Sequence, residues 1–357
     1  MKKIEPSALS RTFEIDLFPG LLCDQRRNGR CWIYASMAPF RQKLNIELST
    51  NYICYFDQMR KVDRFLEQVE NWKGRDLSDP ALSAWLREPI SSVGQWCYFA
   101  SLVEQHGLVP LEAMPDTKAT EDRILLERTL NGRLRFGAWE IRNERSDRAQ
   151  MLKEIESILC RFLGTPPDSV SWQGRSVTPW DYYRESGINL SDYVTVIHHP
   201  SSRWQSPCAY NEEQDPDYRD PFLTLLSVEM DTIKLLVLRQ LQNGEQVVIG
   251  ADVRQNGNRS RGELQITKAP CLSKEDAIAY RQINACHVMS IDGWSSDGRW
   301  KVQDSHGLET GPDGHYVMTD SWFDAYVLSA VIRKAYLPPM LLKLLDTPVY
   351  MPKEERF

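Results

Sequence analysis

A cysteine at the start of a predicted helix has the surroundings in this sequence that most favour chemistry. Cys31 follows a polar turn at 25–30 and precedes an apolar stripe with helical spacing. Unpaired backbone N–H groups and the positive end of a helix dipole stabilise a thiolate at such a position. A lone cysteine is by default a small buried residue, so a role for Cys31 as a nucleophile depends on its partners.

A histidine and a carboxylate meet on a predicted hairpin in the second half of the chain. The Asp-Gly pair at 297–298 is a strong turn signal between two β-like stretches, HVMSIDGW and RWKVQDSHG. A loop of two or four residues places Asp304 on the same face as His287, as a neighbour or one diagonal step away. This partner makes His287 less probable as a satisfied core histidine. Cys286 faces the other side of the strand and is expected in the core.

Gln25 adds a further polar group six residues before Cys31. From the preceding turn, its side-chain amide can point to the same place as the backbone N–H of Cys31. Two such donors would form an oxyanion hole. A thiolate, a histidine, an orienting acid and an oxyanion hole together favour nucleophilic acyl chemistry.

The composition excludes several functional classes. The 357 residues are 42% hydrophobic with a net charge of −6, which argues against a broad nucleic-acid surface. There is no signal-peptide pattern and no apolar run near the ~18 residues of a membrane helix. The eight cysteines include no C-x-x-C pair, so neither a zinc site nor a disulfide scaffold is indicated. We expect a cytoplasmic protein without a metal, an organic cofactor, a nucleic-acid partner or a membrane contact.

The elements that position these residues change in character along the chain. Helical periodicity dominates up to about residue 190, and short β-branched stretches separated by turn signals follow. We predict four parts: an N-terminal arm (1–23), a mainly helical lobe with the nucleophile helix (24–190), a β lobe with the His/Asp hairpin (191–335), and a C-terminal helix and tail (336–357).

The sequence also resembles a known family at many stretches that occur in family order. QRRNGRCWIYASMAPFRQKL is similar to the family's glutamine, Gly-Arg-Cys-Trp and following helix, whereas CHVMSIDGW, WKVQDSHG and GHYVMTDSWFDAYV resemble its histidine, asparagine and closing motifs. This family is the papain-like cysteine peptidases, in the branch of bleomycin hydrolase and bacterial aminopeptidase C. The resemblance implies an α+β fold with two lobes and a cleft between them.

The resemblance also implies roles for individual residues. Cys31 would be the nucleophile, His287 the general base and acid, and Gln25 the oxyanion donor. Gly94 and the adjacent Gln95 fall where the family's cleft binds the substrate main chain. The implied activity is that of an aminopeptidase, which hydrolyses short peptides through a thioester acyl-enzyme.

Three positions depart from the family pattern. Asp304 replaces the family's asparagine, and its negative charge favours an imidazolium. His306 replaces a tryptophan that covers the histidine–asparagine contact, and it can itself titrate. Pro39 falls inside the nucleophile helix, where we expect a kink near Ala35 because proline removes a helical hydrogen bond.

The two ends of the chain also differ from the family. There, the C-terminal carboxylate lies in the cleft and holds the amine of the substrate. Here that carboxylate belongs to Phe357, and it either holds the amine or stops short of it, with Glu354 and Glu355 as alternative groups. The family assembles as a homohexamer, and the altered ends leave open whether this chain forms a homo-oligomer.

Two other functions are compatible with the same residues. A catalytically silent papain-fold protein would serve as a binding or assembly module, which the changes at Asp304 and His306 favour. Retention of Gln25, Cys31 and His287 together argues against it. An enzyme of this type can also pass the thioester to another acceptor, or cleave the amide of a specialised substrate.

Overall fold

Two large hydrophobic cores divide the described residues into two lobes. The computed structural model describes residues 8–18, 21–201, 204–212 and 224–351. The first core is formed almost wholly by residues 32–193, and the second by residues 194–341. The short strand β1 (Ile15–Asp16) precedes both and pairs with the second lobe.

The first lobe is mainly helical. Its helices are α1 (Cys31–Ser36), α2 (Ala38–Leu44), α3 (Thr50–Asn71), α4 (Pro80–Arg87), α5 (Trp96–His106), α6 (Arg123–Arg142), α7 (Arg148–Leu163) and α8 (Pro179–Glu185), with a small hairpin of β2 (Val170–Trp172) and β3 (Arg175–Val177). The long helix α3 packs against α5, α6 and α7. Ser49 caps it by accepting the N–H of Tyr52 at 3.2 Å, and Val62, Phe65 and Val69 supply its buried stripe.

A break separates α1 from α2 at Met37. Pro39 lies in the first turn of α2, where its missing N–H removes no helical hydrogen bond. The nucleophile helix therefore has only six residues. The disturbance that Pro39 predicts is present, but as a break two residues beyond Ala35.

The described part of the second lobe is built on one sheet of twelve strands, of which β1 is one. Its other strands are β4 (Tyr193–Ile197), β5 (Cys208–Glu212), β6 (Thr224–Ser227), β7 (Val247–Ala251), β8 (Gly257–Asn258), β9 (Glu263–Leu264), β10 (His287–Ser295), β11 (Arg299–Gln303), β12 (His315–Thr319), β13 (Val327–Arg333) and β14 (Val349–Met351). The order is β14-β5-β6-β4-β13-β7-β10-β11-β12-β9-β8, and β1 pairs with β10. Helices α9 (Met230–Gln242), α10 (Lys274–Ala279), α11 (Asp320–Tyr326) and α12 (Pro339–Leu344) complete the lobe.

The hairpin of β10 and β11 reaches the predicted face by a different route. Its turn has three residues, 296–298, and Ser295 pairs with Arg299, so both predicted loop lengths are wrong. This register alone would reverse the face of Asp304. A β-bulge at 292 adds one residue to β10, and beyond it Ser290 pairs with Gln303. The bulge restores the alternation that places Asp304 on the face of His287.

Both ends of the described chain lie on the β lobe. The arm is held where β1 pairs with β10 and where Lys301 donates to Asp16 at 2.6 Å. At the other end, β14 pairs parallel with β5. Phe357, Glu354 and Glu355 lie outside the described residues. Among the helices that the structure describes, none has the length and apolar character needed to cross a bilayer.

Candidate active site

Cys31 is the first residue of α1, and it faces the other lobe. The preceding turn ends at Gly29, whose φ of +71° favours glycine, and Asn28 Oδ1 accepts the N–H of Arg30 at 3.0 Å. Helix α1 packs against β10, the strand that begins with His287. The lobe boundary therefore brings the predicted nucleophile against the predicted base.

The Cys31 thiol owes its acidity mainly to His287. Burial raises the pKa of this thiol, but the hydrogen bond and charge of His287, with the N–H groups of Val288 and Trp32, lower it more, so that it lies below that of an ordinary thiol. Because α1 is so short, the helix dipole that the sequence suggested is a smaller contribution than this direct contact.

The carboxylate of Asp304 is fully buried and accepts hydrogen bonds at both oxygens. Its Oδ1 accepts from His287 Nε2 at 2.8 Å and from the backbone N–H of Ser305 at 2.8 Å. Its Oδ2 accepts from the Thr310 hydroxyl at 2.7 Å, and His306 Nδ1 lies 3.1 Å from both oxygens. Four donors thus replace the water that the charge loses on burial.

The charges of His287 and Asp304 stabilise each other. Burial lowers the pKa of His287, but the hydrogen bond to Asp304 and the contact with Cys31 raise it more, to about 10. Burial raises the pKa of Asp304, but the hydrogen bonds from His287 and His306, together with the charge of His287, hold it well below its usual range. The site therefore favours a thiolate, an imidazolium and a carboxylate in line, with Cys31 partly exposed and His287 and Asp304 buried.

Gln25 lies beside this line, in the turn before α1. Its backbone N–H donates to the carbonyl of Ser305 at 2.6 Å. Its Oε1 accepts from the Ser305 hydroxyl at 2.8 Å, and its Nε2 lies 3.3 Å from Nε2 of His306. The structure thus brings together Gln25, Cys31, His287 and Asp304, the four residues predicted to be catalytic.

Gly94 lies against the ring of Trp32, the residue that follows Cys31. A Cβ at position 94 would come within 2.4 Å of this ring, so a larger residue would push the segment away. Trp32 Nε1 donates to the carbonyl of Ser92 at 3.0 Å, which fixes the segment from its other side. Gln95 follows as the exposed residue before α5, without a capping hydrogen bond.

Lys61 anchors the same segment and has no sequence motif to mark it. Its ammonium donates to the carbonyls of Ser91 and Val93, both at 2.9 Å, and to Asp57 Oδ2 at 2.7 Å. These bonds use all three of its N–H donors. Sequence reasoning missed it because the anchor joins helix α3 to a loop 30 residues away.

The structure also shows the exposure of Cys286 and the spacing of the groups around Asp304. Cys286 is exposed and not in the core, with its Sγ 3.3 Å from Asp252 Oδ1. Ligand atoms of His287, Asp304 and His306 lie within 4.8 Å of one another, a spacing that can also hold a metal ion. Their contacts of 2.8 and 3.1 Å are hydrogen-bond lengths, so shared protons account for this approach.

Comparison with known proteins identifies the relatives of this arrangement. The model of the Peptidase C1-like family matches residues 2–353, nearly the whole chain. The chain belongs to the Peptidase C1-like family. The predicted family and the predicted α+β, papain-like fold are both confirmed.

Individual relatives of this family cover most of the chain. Aminopeptidase C of Listeria monocytogenes is 30% identical over 94% of this chain and 85% of its own length. Bleomycin hydrolase of Rattus norvegicus is 26% identical over 92% of this chain and 84% of its own length. The crystal structure of PepW from Lactobacillus rhamnosis has a TM-score of 0.86 and 29% identity, and the match covers 96% of this chain and 87% of PepW.

Replacing Asp304 with asparagine should make His287 lose its proton at lower pH. The carboxylate raises the pKa of His287, and a neutral amide cannot stabilise the imidazolium to the same extent. An NMR titration of the imidazole signals in wild type and Asp304→Asn measures the shift.

Asp292→Asn is the matched control, because Asp292 is also a buried carboxylate paired with a histidine, His315, at 3.1 Å. It should leave the His287 titration in place. Coincident His287 titrations in wild type and Asp304→Asn would rule out an electrostatic role for the aspartate.

Proposed function

We propose that this protein is a cysteine-type aminopeptidase that hydrolyses short peptides through a thioester acyl-enzyme. The observation that carries the proposal is the line of contacts from the partly exposed Cys31 through the buried His287 to the buried Asp304. Relatives named aminopeptidase C, which align over more than nine-tenths of the chain, support peptides as the substrate.

In the acylation half, the Cys31 thiolate attacks the carbonyl carbon of the scissile amide. The negative charge that develops on the oxygen is met by the backbone N–H of Cys31, free because it is the first residue of α1, and by the Gln25 amide. The imidazolium of His287 then gives its proton to the leaving amine. The C–N bond breaks, and the acyl group remains on sulfur as a thioester.

In the deacylation half, the now neutral His287 takes a proton from water, and the hydroxide attacks the thioester. The C–S bond breaks, the carboxylic acid product leaves, and the thiolate–imidazolium pair is restored. Asp304 keeps the imidazole in one orientation throughout, because its Oδ1 holds Nε2 at 2.8 Å while the other ring nitrogen faces Cys31.

Substrate binding is assigned to the segment that ends at Gly94 and Gln95. A glycine lets the substrate backbone approach closely, and the anchors from Trp32 and Lys61 hold the segment beside Cys31. Recognition of the substrate's amine is assigned to the C-terminal carboxylate of Phe357, with Glu354 and Glu355 as the alternatives.

The state of the cysteines supports a cellular compartment for the enzyme. None of the eight cysteines, all of which are described, forms a disulfide, and a low-pKa thiolate is readily oxidised, so we place the protein in the reducing cytoplasm. The proposed reaction uses only water and the side-chain and backbone groups of this chain. A silent scaffold is not favoured, because the named relatives are peptidases. A homo-oligomer stays a prediction.

The central test is hydrolysis of fluorogenic aminoacyl and N-blocked peptide substrates in the presence of reductant. Wild type should turn over the substrates with a free amine, and Cys31→Ala should abolish turnover because the attacking sulfur is gone. Cys286→Ala, which removes the neighbouring exposed thiol, is the matched control and should keep full activity. Turnover of blocked substrates would contradict recognition of the amine, and turnover by Cys31→Ala would contradict the mechanism.

Loss of the Lys61 anchor should weaken substrate binding more than the chemical step. The paired variant Asp57→Asn/Lys61→Met removes the anchor without leaving a buried carboxylate unpaired. We expect KM to rise about tenfold, equivalent to ~1.4 kcal/mol, with kcat changed less than about threefold.

Steady-state kinetics and a thermal melt measure this effect and check the fold. Lys73→Met is the control, since Lys73 forms an exposed ion pair with Glu144 at 3.1 Å and touches no part of the site. An unchanged KM in the paired variant would show that the segment needs no such anchor.

A further inference from the structure

We propose that His306 is a positioning residue that fixes the orientation of the Gln25 side-chain amide and keeps one of its N–H groups available to the reacting oxygen. The inference rests on the proposed function and assigns a role to a residue that the catalytic steps above do not use. It follows from which atoms in the site can only donate and which can only accept.

The contact with Asp304 fixes one proton of the His306 ring. An ionised carboxylate can only accept hydrogen bonds. Because His306 Nδ1 lies 3.1 Å from both oxygens of Asp304, this nitrogen carries a proton. The side chain is mostly buried, with 12% of its surface exposed, so few waters compete for the ring.

The other ring nitrogen, His306 Nε2, lies 3.3 Å from Nε2 of Gln25. In this orientation of the amide, the contact is a hydrogen bond only if the amide nitrogen donates and His306 Nε2, without a proton, accepts. A proton on Nε2 would instead favour the flipped amide, so the tautomer and the orientation of the amide are coupled. The ring is thus held as the tautomer with its proton on Nδ1, and it presents a lone pair to the amide.

Ser305 Oγ and His306 Nε2 both contact the Gln25 amide, but only His306 distinguishes the two orientations of the amide. Ser305 Oγ lies 2.8 Å from Gln25 Oε1, but a hydroxyl can donate or accept and so tolerates either orientation. His306 Nε2 tolerates only one, because a flipped amide would place its oxygen against the lone pair. The orientation is therefore passed from Asp304 through His306 to Gln25.

The contact with His306 leaves the second N–H of the Gln25 amide available to the substrate. One N–H is used by His306, and the other bonds to no described residue, which leaves it for the negative oxygen of the intermediate. Asp304 then controls both sides of the reaction. It orients His287 directly, and it orients Gln25 through His306.

A kinetic cycle tests whether His306 acts through Gln25. In His306→Leu, both ring nitrogens are lost, and we expect kcat to fall about tenfold, as for the loss of one hydrogen bond, with KM nearly unchanged. In the Gln25→Ala background, the same substitution should cost much less: kcat should fall by no more than about threefold. Equal losses in both backgrounds would overturn the proposal.

His306→Gln provides the conservative rescue, because its carbonyl can accept from the Gln25 amide. It should recover most of the kcat lost in His306→Leu, and failure to do so in a variant with a wild-type melting temperature would count against an acceptor role. The exposed thiol variant Cys286→Ala serves as the control for substitutions close to His287.

A second measurement does not depend on turnover. Nitrogen-15 NMR of imidazole-labelled Cys31→Ala, with the His306 signals assigned from His306→Gln, should show a proton on Nδ1 and a lone pair on Nε2. A proton on Nε2 would overturn the proposal even if the wild type hydrolyses peptides. If the wild type hydrolyses none but the expected tautomer is found, the proposed function fails and the positioning contact stands.

Discussion

The buried carboxylate of Asp304 is the constraint on which the rest of the site depends. A charge without water must be surrounded by donors, and these donors come from β10 and from the loop that follows β11. His287 supplies one, the backbone of Ser305 a second, His306 a third and Thr310 a fourth. The shape of this loop is therefore set by one negative charge, and the positions of both histidines are set with it.

The same loop joins the two lobes. The N–H of Gln25 donates to the carbonyl of Ser305 at 2.6 Å, and the N–H of Gly307 donates to the carbonyl of Cys23 at 2.9 Å. The turn before the nucleophile helix is thus bonded to the loop that surrounds the carboxylate. This connection explains why Cys31 and His287, more than 250 residues apart, meet as an ion pair. The turn before Cys31 is bonded to residues 305–307, and His287 is bonded to Asp304 of the same loop.

The sequence predicted the two lobes and the meeting of His287 with Asp304, because hydrophobic periodicity and strand alternation are local properties. It did not predict how the hairpin achieves this. The Asp-Gly pair at 297–298 is compatible with more than one loop length, and no residue type marks the bulge at Asp292 that compensates for the three-residue turn. The contacts of Thr310 and Lys61 were also beyond reach. They are single side chains that close distances between elements, and spacing along the chain contains no information about them. The break at Met37 was predicted in kind but placed two residues early.

The bulge in β10 limits how this hairpin can change during evolution. Successive side chains of a strand point to alternate faces. The face of Asp304 therefore depends on whether the number of turn residues plus bulge residues is odd or even. One residue gained or lost in the turn would send Asp304 to the opposite face, unless the bulge disappeared in the same lineage. We therefore expect insertions and deletions here to occur in compensating pairs, and homologues with turns of a different parity to lack the bulge.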